Sequence, residues 1–379
     1  MTSPENHIPV AIIGGGPVGL FLAICLLKKG INCRVLEKRK NPIADSRSLG
    51  IHPVSLELFD KVDITTSFLE HGLKIRKGIA LTENKTLGKI SFERCPKPHN
   101  YILACPQFTT ESILRNELNK LDSNVLVTGA EFQQFNQDQN RVEINYTSDH
   151  ENSHLTADFI VGCDGKNSLV RQQASIHYSG KHYNDTYIMG DFEDTTEFGP
   201  DAAVFLPKDG LIECFPLPNG MRRWVVKTDS YISNPTPLLL IKLVLDRIGY
   251  NLASAKNTML SSFGVQHFMA ETFAKKRVFL AGDSAHVVSP IGGQGMNLGW
   301  LDAWELSKTF STRHTDVYNQ KQQKIAKKVA LRAEINMILG RKQAIPFLRN
   351  IFIRGMLKSP IQTKVAKKFT MRGLEKQWI

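Results

Sequence analysis

Residues 8–27 of this 379-residue chain read IPVAIIGGGPVGLFLAICLL. A β-rich run over 9–13 meets three consecutive glycines, and a helix-like stretch then continues to Lys29. A second β-rich run follows over 31–37. A strand, a helix and a second strand within about 30 residues are typical of a βαβ unit. This stretch therefore predicts an α/β fold with a parallel sheet.

The glycines of this unit have a specific spacing. Gly14, Gly16 and Gly19 follow the pattern G-x-G-x-x-G between the strand and the helix. The first glycine permits a tight turn, the second lets a pyrophosphate approach the backbone, and the third lets helix and strand pack closely. Glu37 ends the second strand, where an acid hydrogen-bonds an adenosine ribose. The pattern predicts a Rossmann-like dinucleotide site, and by itself it leaves NAD and FAD as alternatives.

The apolar run over 8–27 could also be interpreted as a membrane span or a signal peptide. We expect neither, because the preceding MTSPENH lacks positive charge and glycines interrupt the run. Six cysteines without a CxxC pair indicate a reducing compartment. The histidines lack metal-ligand spacing. We therefore expect a cytoplasmic protein without a bound metal.

Positive charge is concentrated at one end of the chain. The formal net charge is +12, yet residues 321–379 alone contain 15 Lys/Arg and 2 acidic residues. The rest of the chain is nearly neutral, which argues against a nucleic-acid groove across the main fold. We expect no nucleic-acid partner.

The basic segment is predicted to be helical, and its apolar residues have roughly helical spacing. They are Phe347, Leu348, Ile351, Phe352 and Met356. Two interpretations stay open. The apolar side packs on the protein body and leaves the lysines in solvent, or it makes peripheral contact with a membrane surface.

The middle of the chain has a different pattern. Several β-rich runs over 185–227 are separated by Asp209-Gly210 and Asn219-Gly220. Such dipeptides between β-rich runs are strong hairpin signals. An antiparallel sheet is therefore predicted as an insertion, after which the α/β pattern returns with the buried run 277–281.

Three further segments distinguish between NAD and FAD. They read SRSLGIHP over 46–53, FIVGCDG over 159–165 with Ser168 and Arg171 beyond, and GDSAH over 282–286 followed by PIGGQGMN over 290–297. Together with the glycine pattern, and in this order, they resemble the class A FAD-dependent monooxygenases typified by p-hydroxybenzoate hydroxylase and the ubiquinone-ring hydroxylases. The resemblance covers most of residues 8–310.

The resemblance implies roles for particular residues. Arg47 falls where the family contacts FAD near its pyrophosphate, and Gln107 falls where it contacts the flavin. Asp164 and Gly165 match a motif that serves both FAD and NAD(P)H. Asp283 matches the aspartate that binds the ribityl and phosphate region, and Pro290 matches a carbonyl beside the substrate. The flavin pyrimidine edge is assigned to the turn and helix start at Gly292, Gly293, Gly295, Met296 and Asn297.

The resemblance also implies an activity. FAD would be the cofactor and NAD(P)H the co-substrate, and one oxygen atom of O₂ would pass from a flavin C4a-hydroperoxide to an aromatic or polycyclic hydrophobic small molecule. Two alternatives remain: a flavin-dependent reductase of isoprenoid double bonds, and a membrane-docking flavin-binding protein without catalysis.

The implied organisation is an FAD-binding domain over 1–75, 98–178 and 262–320, a substrate domain over 76–97 and 179–261, and a basic helical segment over 321–379. The substrate would lie between the flavin and the antiparallel sheet. Candidate lining residues are Phe205, Cys214, Phe215 and Arg223.

Overall fold

A computed structural model describes residues 7–42, 48–312, 316–358 and 361–374. In these segments the strands are β1 (His7–Ile13), β2 (Cys33–Glu37), β3 (Gly50–Ile51), β4 (Leu73–Ile75), β5 (Lys77–Leu81), β6 (Thr86–Ser91), β7 (Ile102–Ala104), β8 (Leu126–Thr128), β9 (Ala130–Gln137), β10 (Val142–Ser148), β11 (Glu151–Gly162), β12 (Tyr178–Glu193), β13 (Ala202–Phe205), β14 (Ile212–Leu217), β15 (Met221–Thr228), β16 (Asn257–Ala270), β17 (Ala274–Lys275), β18 (Val278–Leu280) and β19 (His286–Val287). The α-helices are α1 (Pro17–Leu27), α2 (Pro53–Asp60), α3 (Thr65–His71), α4 (Gln107–Leu121), α5 (Leu169–Gln173), α6 (Pro237–Ile248), α7 (Gly295–Thr312), α8 (Asp316–Leu339), α9 (Pro346–Met356) and α10 (Ile361–Phe369).

The first sheet has a parallel centre. Its strand order is β17-β18-β11-β1-β2-β8, and β10 and β9 extend it from β11. Strands β18, β11, β1, β2 and β8 run parallel. The chain leaves β1 on one side for β2 and later returns to β11 on the other side. Such a switch point leaves a crevice at the carboxyl ends of the strands, where α/β proteins bind ligands.

Helix α1 explains the long apolar run. Every residue from Gly19 to Leu26 is buried in the core between the sheet and α7. Trp300 of α7 is also fully buried, and its indole N–H donates to the Pro17 carbonyl at 3.0 Å. The run is therefore uniformly apolar because this helix is buried on all sides. Within the described part of the chain, no helix combines the length and apolar character needed to cross a bilayer.

The second sheet has the order β19-β16-β12-β15-β14-β13-β5-β6. It is antiparallel except for the parallel pair β13–β5. Asn219 and Gly220 form the predicted hairpin link between β14 and β15, both with positive φ. Alternate residues of the central strands, such as Ile188, Cys214 and Trp224, pack against α6. The intervening residues form the other face of the sheet.

The C-terminal helices pack on the protein body along one side. Buried residues of α8 include Ile325, Val329 and Met337, and Ile353 of α9 joins Met337 in a core cluster of the second sheet. Ala366 of α10 is also fully buried. The segment predicted to be a basic helical tail is thus helical, and it covers part of the second sheet.

A buried acid anchors the end of α8. The Asp185 carboxylate of β12 accepts hydrogen bonds from Arg341, at 2.8 Å from Nη2, and lies 3.3 Å from Lys227 Nζ. Burial would raise the pKa of Asp185, but the hydrogen bond from Arg341 and the charge of Lys227 outweigh it and hold the pKa below its usual value. The ion pair therefore joins the C-terminal segment to the second sheet.

We predict that Asp185→Asn lowers the free energy of unfolding at pH 7 by about 1–3 kcal/mol, because two cations lose a buried partner. A lowered folded-state pKa gives stability that is present above the unfolded pKa and lost as pH falls through the folded pKa. The difference from wild type should shrink below about pH 4. Urea unfolding at pH 7 and pH 3.5 measures it. Asp246→Asn on the exposed side of α6 is the control, and an equal loss in both variants would contradict the assignment.

Candidate active site

One large cavity lies between the carboxyl edge of the first sheet and a face of the second. Its volume is about 1390 Å³. The glycine turn after β1, the end of β2 and the N-terminus of α7 form one end. Residues of β12, β13, β14, β15, α8 and α9 form the other. A dinucleotide edge and a largely apolar sheet face therefore share one space.

The three glycines of the fingerprint have two different roles. A Cβ atom at Gly14 would lie 2.4 Å from the Cys163 carbonyl oxygen, and one at Gly19 would lie 2.0 Å from the Gly14 carbonyl oxygen. These two residues allow α1, β1 and the end of β11 to approach one another. At Gly16, apart from the two chain neighbours, no atom of the described residues lies within 4 Å of such a Cβ, yet the residue lines the cavity. Gly16 thus keeps open a space that the protein itself does not fill.

Glu37 lies at the end of β2 and lines the cavity, as its spacing predicts. Its carboxylate accepts a hydrogen bond from the Gly15 N–H at 2.7 Å and two from Arg39, at 2.9 Å from N and 2.7 Å from Nε. Burial would raise the pKa of Glu37, but the hydrogen bonds from Arg39 and Gly15 outweigh it and lower the pKa. Glu37 is therefore held ionised beside the glycine turn.

Asp164 and Gly165 follow β11 and line the cavity. One Asp164 oxygen, Oδ2, accepts from the N–H groups of Leu169 and Val170 at 2.8 and 3.2 Å and so caps α5. The other, Oδ1, is buried and has no partner among the described residues. Burial raises the pKa of Asp164 above its usual value.

Arg171 joins the Asp164 loop to the next motif. Its guanidinium donates to the carbonyls of Ser284 and Lys166, both at 2.8 Å, and stacks on the Tyr178 ring at 3.7 Å. Ser168 caps the same short helix by accepting from the Arg171 N–H at 3.0 Å. Ser168 and Arg171 therefore shape the site by holding its loops in position, and they do not line the cavity.

Asp283 lies in the turn after β18 and opens into the cavity. Asp302 of α7 fixes the position of this turn. Its Oδ2 accepts a hydrogen bond from the Gly282 N–H at 3.0 Å and lies 2.5 Å from His286 Nε2. Burial would lower the pKa of His286, but the Asp302 carboxylate outweighs it and raises the pKa.

The glycine turn before α7 bends toward the cavity. Gly292 and Gly293 have φ values of 95° and 64°, which favour glycine, and the Gly293 N–H donates to the Pro290 carbonyl at 2.9 Å. The helix then begins at Gly295, and both Gly295 and Met296 line the cavity. The free N–H groups of this helix start can bind an anion or a carbonyl oxygen.

Asn297 has a different position from its predicted neighbours. Its amide oxygen accepts from the His52 N–H and the Ser55 hydroxyl, and its amide nitrogen donates to the carbonyls of Gly50 and Gly293, all at 2.8 Å. All four bonds are within the protein. Asn297 therefore fixes the glycine turn to the segment after β3, and only its backbone could reach a cofactor.

His52 and Gln107 both line the cavity. His52 Nε2 lies 3.1 Å from the Gly292 carbonyl oxygen, while Nδ1 is buried with no partner in the part of the chain that is described. Burial lowers the pKa of His52 to about 4, so the ring is neutral. The Gln107 amide donates to Glu111 Oε1 at 3.0 Å. Arg47 lies outside the described residues.

The structure thus brings most of the predicted cofactor residues to one cavity. Those that line it are Gly14, Gly16, Glu37, Gln107, Asp164, Gly165, Asp283, Gly292, Gly293, Gly295 and Met296. Pro290, which was predicted to lie beside the substrate, lines the same cavity. Gly19 and Asn297 lie behind this surface and support it.

The predicted substrate-lining residues divide according to strand alternation. Phe215 and Arg223 line the cavity, whereas the prediction was wrong for Phe205 and Cys214, which pack on the opposite face against α6. We call the side that lines the cavity the cavity face. Its residues on the central strands are Met189, Val204, Leu211, Glu213, Phe215, Arg223 and Val225. The sequence indicates that alternate residues of these strands face opposite sides of the sheet. It does not indicate which of the two sets faces the cavity.

Glu213 is a site residue that the sequence did not reveal. It lies on β14, is 8% exposed and lines the cavity. Burial raises the pKa of its carboxyl to about 7. The nearest sequence signal was an acid within the β-rich run LIECFPL, which by itself would predict a solvent-facing position.

Comparison with known proteins identifies the family. Residues 7–333 match the family described as FAD binding domain, and the chain belongs to it. A rifampicin monooxygenase from Streptomyces venezuelae is 32% identical over 308 residues, which are 78% of this chain and 62% of the relative. The chain spans about 60% of the length of the curated relatives that it matches.

Solved structures share the fold. A p-nitrophenol 4-monooxygenase from Pseudomonas putida superposes with a TM-score of 0.87 at 20% identity, covering 96% of this chain and 98% of that one. An anhydrotetracycline hydroxylase from Streptomyces rimosus has a TM-score of 0.80 at 26% identity, covering 96% of this chain and 76% of the other.

The residues present fit FAD. The open space at Gly16 suits a pyrophosphate, and the N-termini of α1 and α7 both offer N–H donors to the cavity. Asp164 Oδ1 and His52 Nδ1 are buried polar atoms that the described protein leaves without partners.

We predict opposite effects for alanine at two positions of the fingerprint. Gly19→Ala should lower the melting temperature by several degrees or prevent folding, because its Cβ would overlap the Gly14 carbonyl. Gly16→Ala should leave the fold intact, because no protein atom is close, yet weaken FAD binding about tenfold or more. Thermal melts without added cofactor and FAD titrations separate the two effects. Full FAD affinity in Gly16→Ala would contradict the placement of the pyrophosphate.

Proposed function

We propose that the chain is an FAD-dependent monooxygenase that uses NAD(P)H and O₂ to hydroxylate an aromatic or polycyclic hydrophobic small molecule. The observation that carries the proposal is the single cavity, which joins the dinucleotide edge of the first sheet to the cavity face of the second. The rifampicin monooxygenase relative and the anhydrotetracycline hydroxylase neighbour support this reaction class.

The proposed division of labour follows the two sheets. Residues 1–75, 98–178 and 262–320 would hold FAD, and 76–97 with 179–261 would supply the substrate side. Strands β12 and β16 extend from one part to the other. The start of β12 pairs with the end of β16, and the end of β16 also pairs with β19, which follows the turn that carries Asp283. FAD, when bound, would supply hydride acceptance from NAD(P)H and activation of oxygen.

The protein residues would bind, orient and exclude water. The fingerprint and Glu37 would hold the adenosine and pyrophosphate, Asp164 and Asp283 the ribityl region, and Gln107, the Gly292–Gly293 turn and Met296 the flavin. Arg47 is proposed as a further phosphate contact. The start of α7 would stabilise negative charge placed before it.

The substrate side of the cavity would exclude water. Val204, Leu206, Leu211 and Phe263 of the second sheet line it, and Leu331, Ile335, Ile353 and Met356 of α8 and α9 close it from the other side. An apolar enclosure protects a reactive oxygen donor from hydrolysis and concentrates a hydrophobic substrate.

We predict that the purified protein contains non-covalent FAD, and that Asp283→Ala weakens its binding about tenfold or more by removing a hydrogen-bonding carboxylate from the cavity. The visible spectrum, identification of the released flavin and FAD titration measure this, with Asp246→Asn as the control. Substrate-stimulated oxidation of NADH or NADPH, with oxygen uptake and an oxygenated product, tests the reaction. Double-bond reduction without oxygen incorporation would instead indicate a reductase, and a protein that takes up no FAD would overturn the proposal.

We also propose that the outer side of α9 contacts an anionic lipid surface. Phe347, Leu348 and Ile351 of α9, and Ile345 just before the helix, are 50–68% exposed. They belong to the segment that carries nearly all of the excess positive charge. Apolar side chains next to cations are typical of helices that lie at a membrane interface.

The double variant Phe347→Asp/Leu348→Asp tests this contact, since neither side chain lines the cavity. Wild type should cosediment with vesicles that contain phosphatidylserine and lose binding in high salt, whereas the variant should bind several-fold less. Equal binding of both proteins, or wild-type binding to neutral vesicles alone, would contradict the proposal.

A further inference from the structure

Glu213 has an unusual environment for a carboxylate. On β14 it lies between Leu211 and Phe215 of the cavity face, and the strand pairing places Val204 of β13 and Val225 of β15 at its sides. All four neighbours are apolar and line the same cavity. The carboxylate is thus a single acidic group in the centre of an apolar surface.

No described residue donates a hydrogen bond or forms an ion pair with this carboxylate. Another acid of the same sheet differs in this respect. Asp191 is held by Arg223 through two hydrogen bonds, at 2.7 Å from Nε and 2.8 Å from Nη2. A buried carboxylate without a partner is costly, so it is retained where something else supplies the partner. Since Glu213 opens to the cavity, the partner must enter through it.

We propose that Glu213 binds the hydroxyl group of a phenolic substrate and accepts its proton. The inference rests on the proposed function and specifies its substrate class, an aromatic compound with a free ring hydroxyl. The apolar neighbours of Glu213 hold the ring, and the carboxylate selects the hydroxyl.

The proton transfer balances without any further reagent. The substrate O–H bond breaks, its electron pair stays on the substrate oxygen, and the proton moves to a carboxylate oxygen of Glu213. The phenolate oxygen donates electron density to its ortho and para carbons, which makes them better nucleophiles toward an electrophilic oxygen atom. The proton returns to the product hydroxyl, so Glu213 is regenerated.

The electrostatic surroundings suit this role. Burial raises the pKa of Glu213 to about 7, which makes it a stronger base than an ordinary glutamate. Ionisable groups on the substrate side of the cavity or the same side of the sheet include His52, Tyr187, the Arg223–Asp191 pair, and Lys328 and Arg332 of α8. Charged groups elsewhere at the cavity are Glu37, Lys38, Arg39, Glu111, Glu131, Asp164, Asp283 and Lys368. Burial lowers the pKa of His52 to about 4 and raises that of Tyr187 above its usual value.

The test uses the FAD-loaded full chain and two matched probe pairs, 2-naphthol with 2-methoxynaphthalene and 2-hydroxyanthraquinone with 2-methoxyanthraquinone. Affinities are measured by calorimetry at pH 6 and pH 8. In at least one pair, wild type should prefer the hydroxyl compound about tenfold or more at pH 8. The preference should fall at pH 6, because most of the Glu213 carboxyl is protonated below its pKa of about 7 and can no longer take the substrate proton.

Two variants and one control complete the design. Glu213→Gln should lose most of the preference and all of its pH dependence, and Glu213→Leu should favour the methoxy compound. Asp246→Asn, on the helix that covers the opposite face, should behave as wild type. The pH dependence of wild type needs no variant, so the test does not depend on the folding of either substitution.

Equal affinity for hydroxyl and methoxy probes in wild type would overturn the proposal, as would an unchanged preference in Glu213→Gln. Failure to bind either hydroxyl compound would overturn the assigned substrate class. None of these results contradicts the proposed function if the same preparation contains FAD and oxidises NAD(P)H with incorporation of oxygen. Loss of those two properties in wild type would instead contradict the proposed function itself.

Discussion

The close contact between Gly14 and the end of β11 is the constraint on which the site depends. The Cys163 N–H donates to the Ile13 carbonyl at 2.7 Å, and the Cys163 carbonyl leaves no room for a side chain at Gly14. The fingerprint turn and the Asp164 loop are therefore adjacent. Arg171 then connects that loop to Ser284, and Asp302 connects the Ser284 turn to α7. These contacts together bring three motifs that are far apart in sequence into one site.

The second sheet contributes through its two different faces. Trp224 and its neighbours pack against α6, while the cavity face looks toward the dinucleotide edge. Side chains alternate along a strand, so the residue next to each one that packs against α6 has its side chain on the cavity face. The C-terminal helices complete the enclosure, and the Asp185 ion pair attaches them to the same sheet. Stability of the sheet and shape of the cavity are consequently coupled.

Much of the cofactor end could be predicted from local sequence. Gly14, Gly16 and Glu37 have roles set by backbone geometry over a short span, and the structure places them beside the cavity. The substrate end could not be predicted in the same way. Phe205 and Cys214 differ from Phe215 only in strand parity, and parity is decided by which face α6 covers. The sequence also could not predict that the Asn297 side chain is hydrogen-bonded within the protein, because its four partners include residues about 245 positions away.

The sequence by itself determined the βαβ unit, the dinucleotide fingerprint and the presence of an inserted sheet, because each depends on residues that are neighbours along the chain. Only the tertiary structure decided that Glu213 faces an apolar cavity with no partner among the described residues, and that α8 and α9 close that cavity. Burial and hydrogen-bond pairing are properties of residues brought together from distant positions. An acid in a β-rich run has no distinguishing local pattern, and its chemistry appears only when the surfaces around it are assembled.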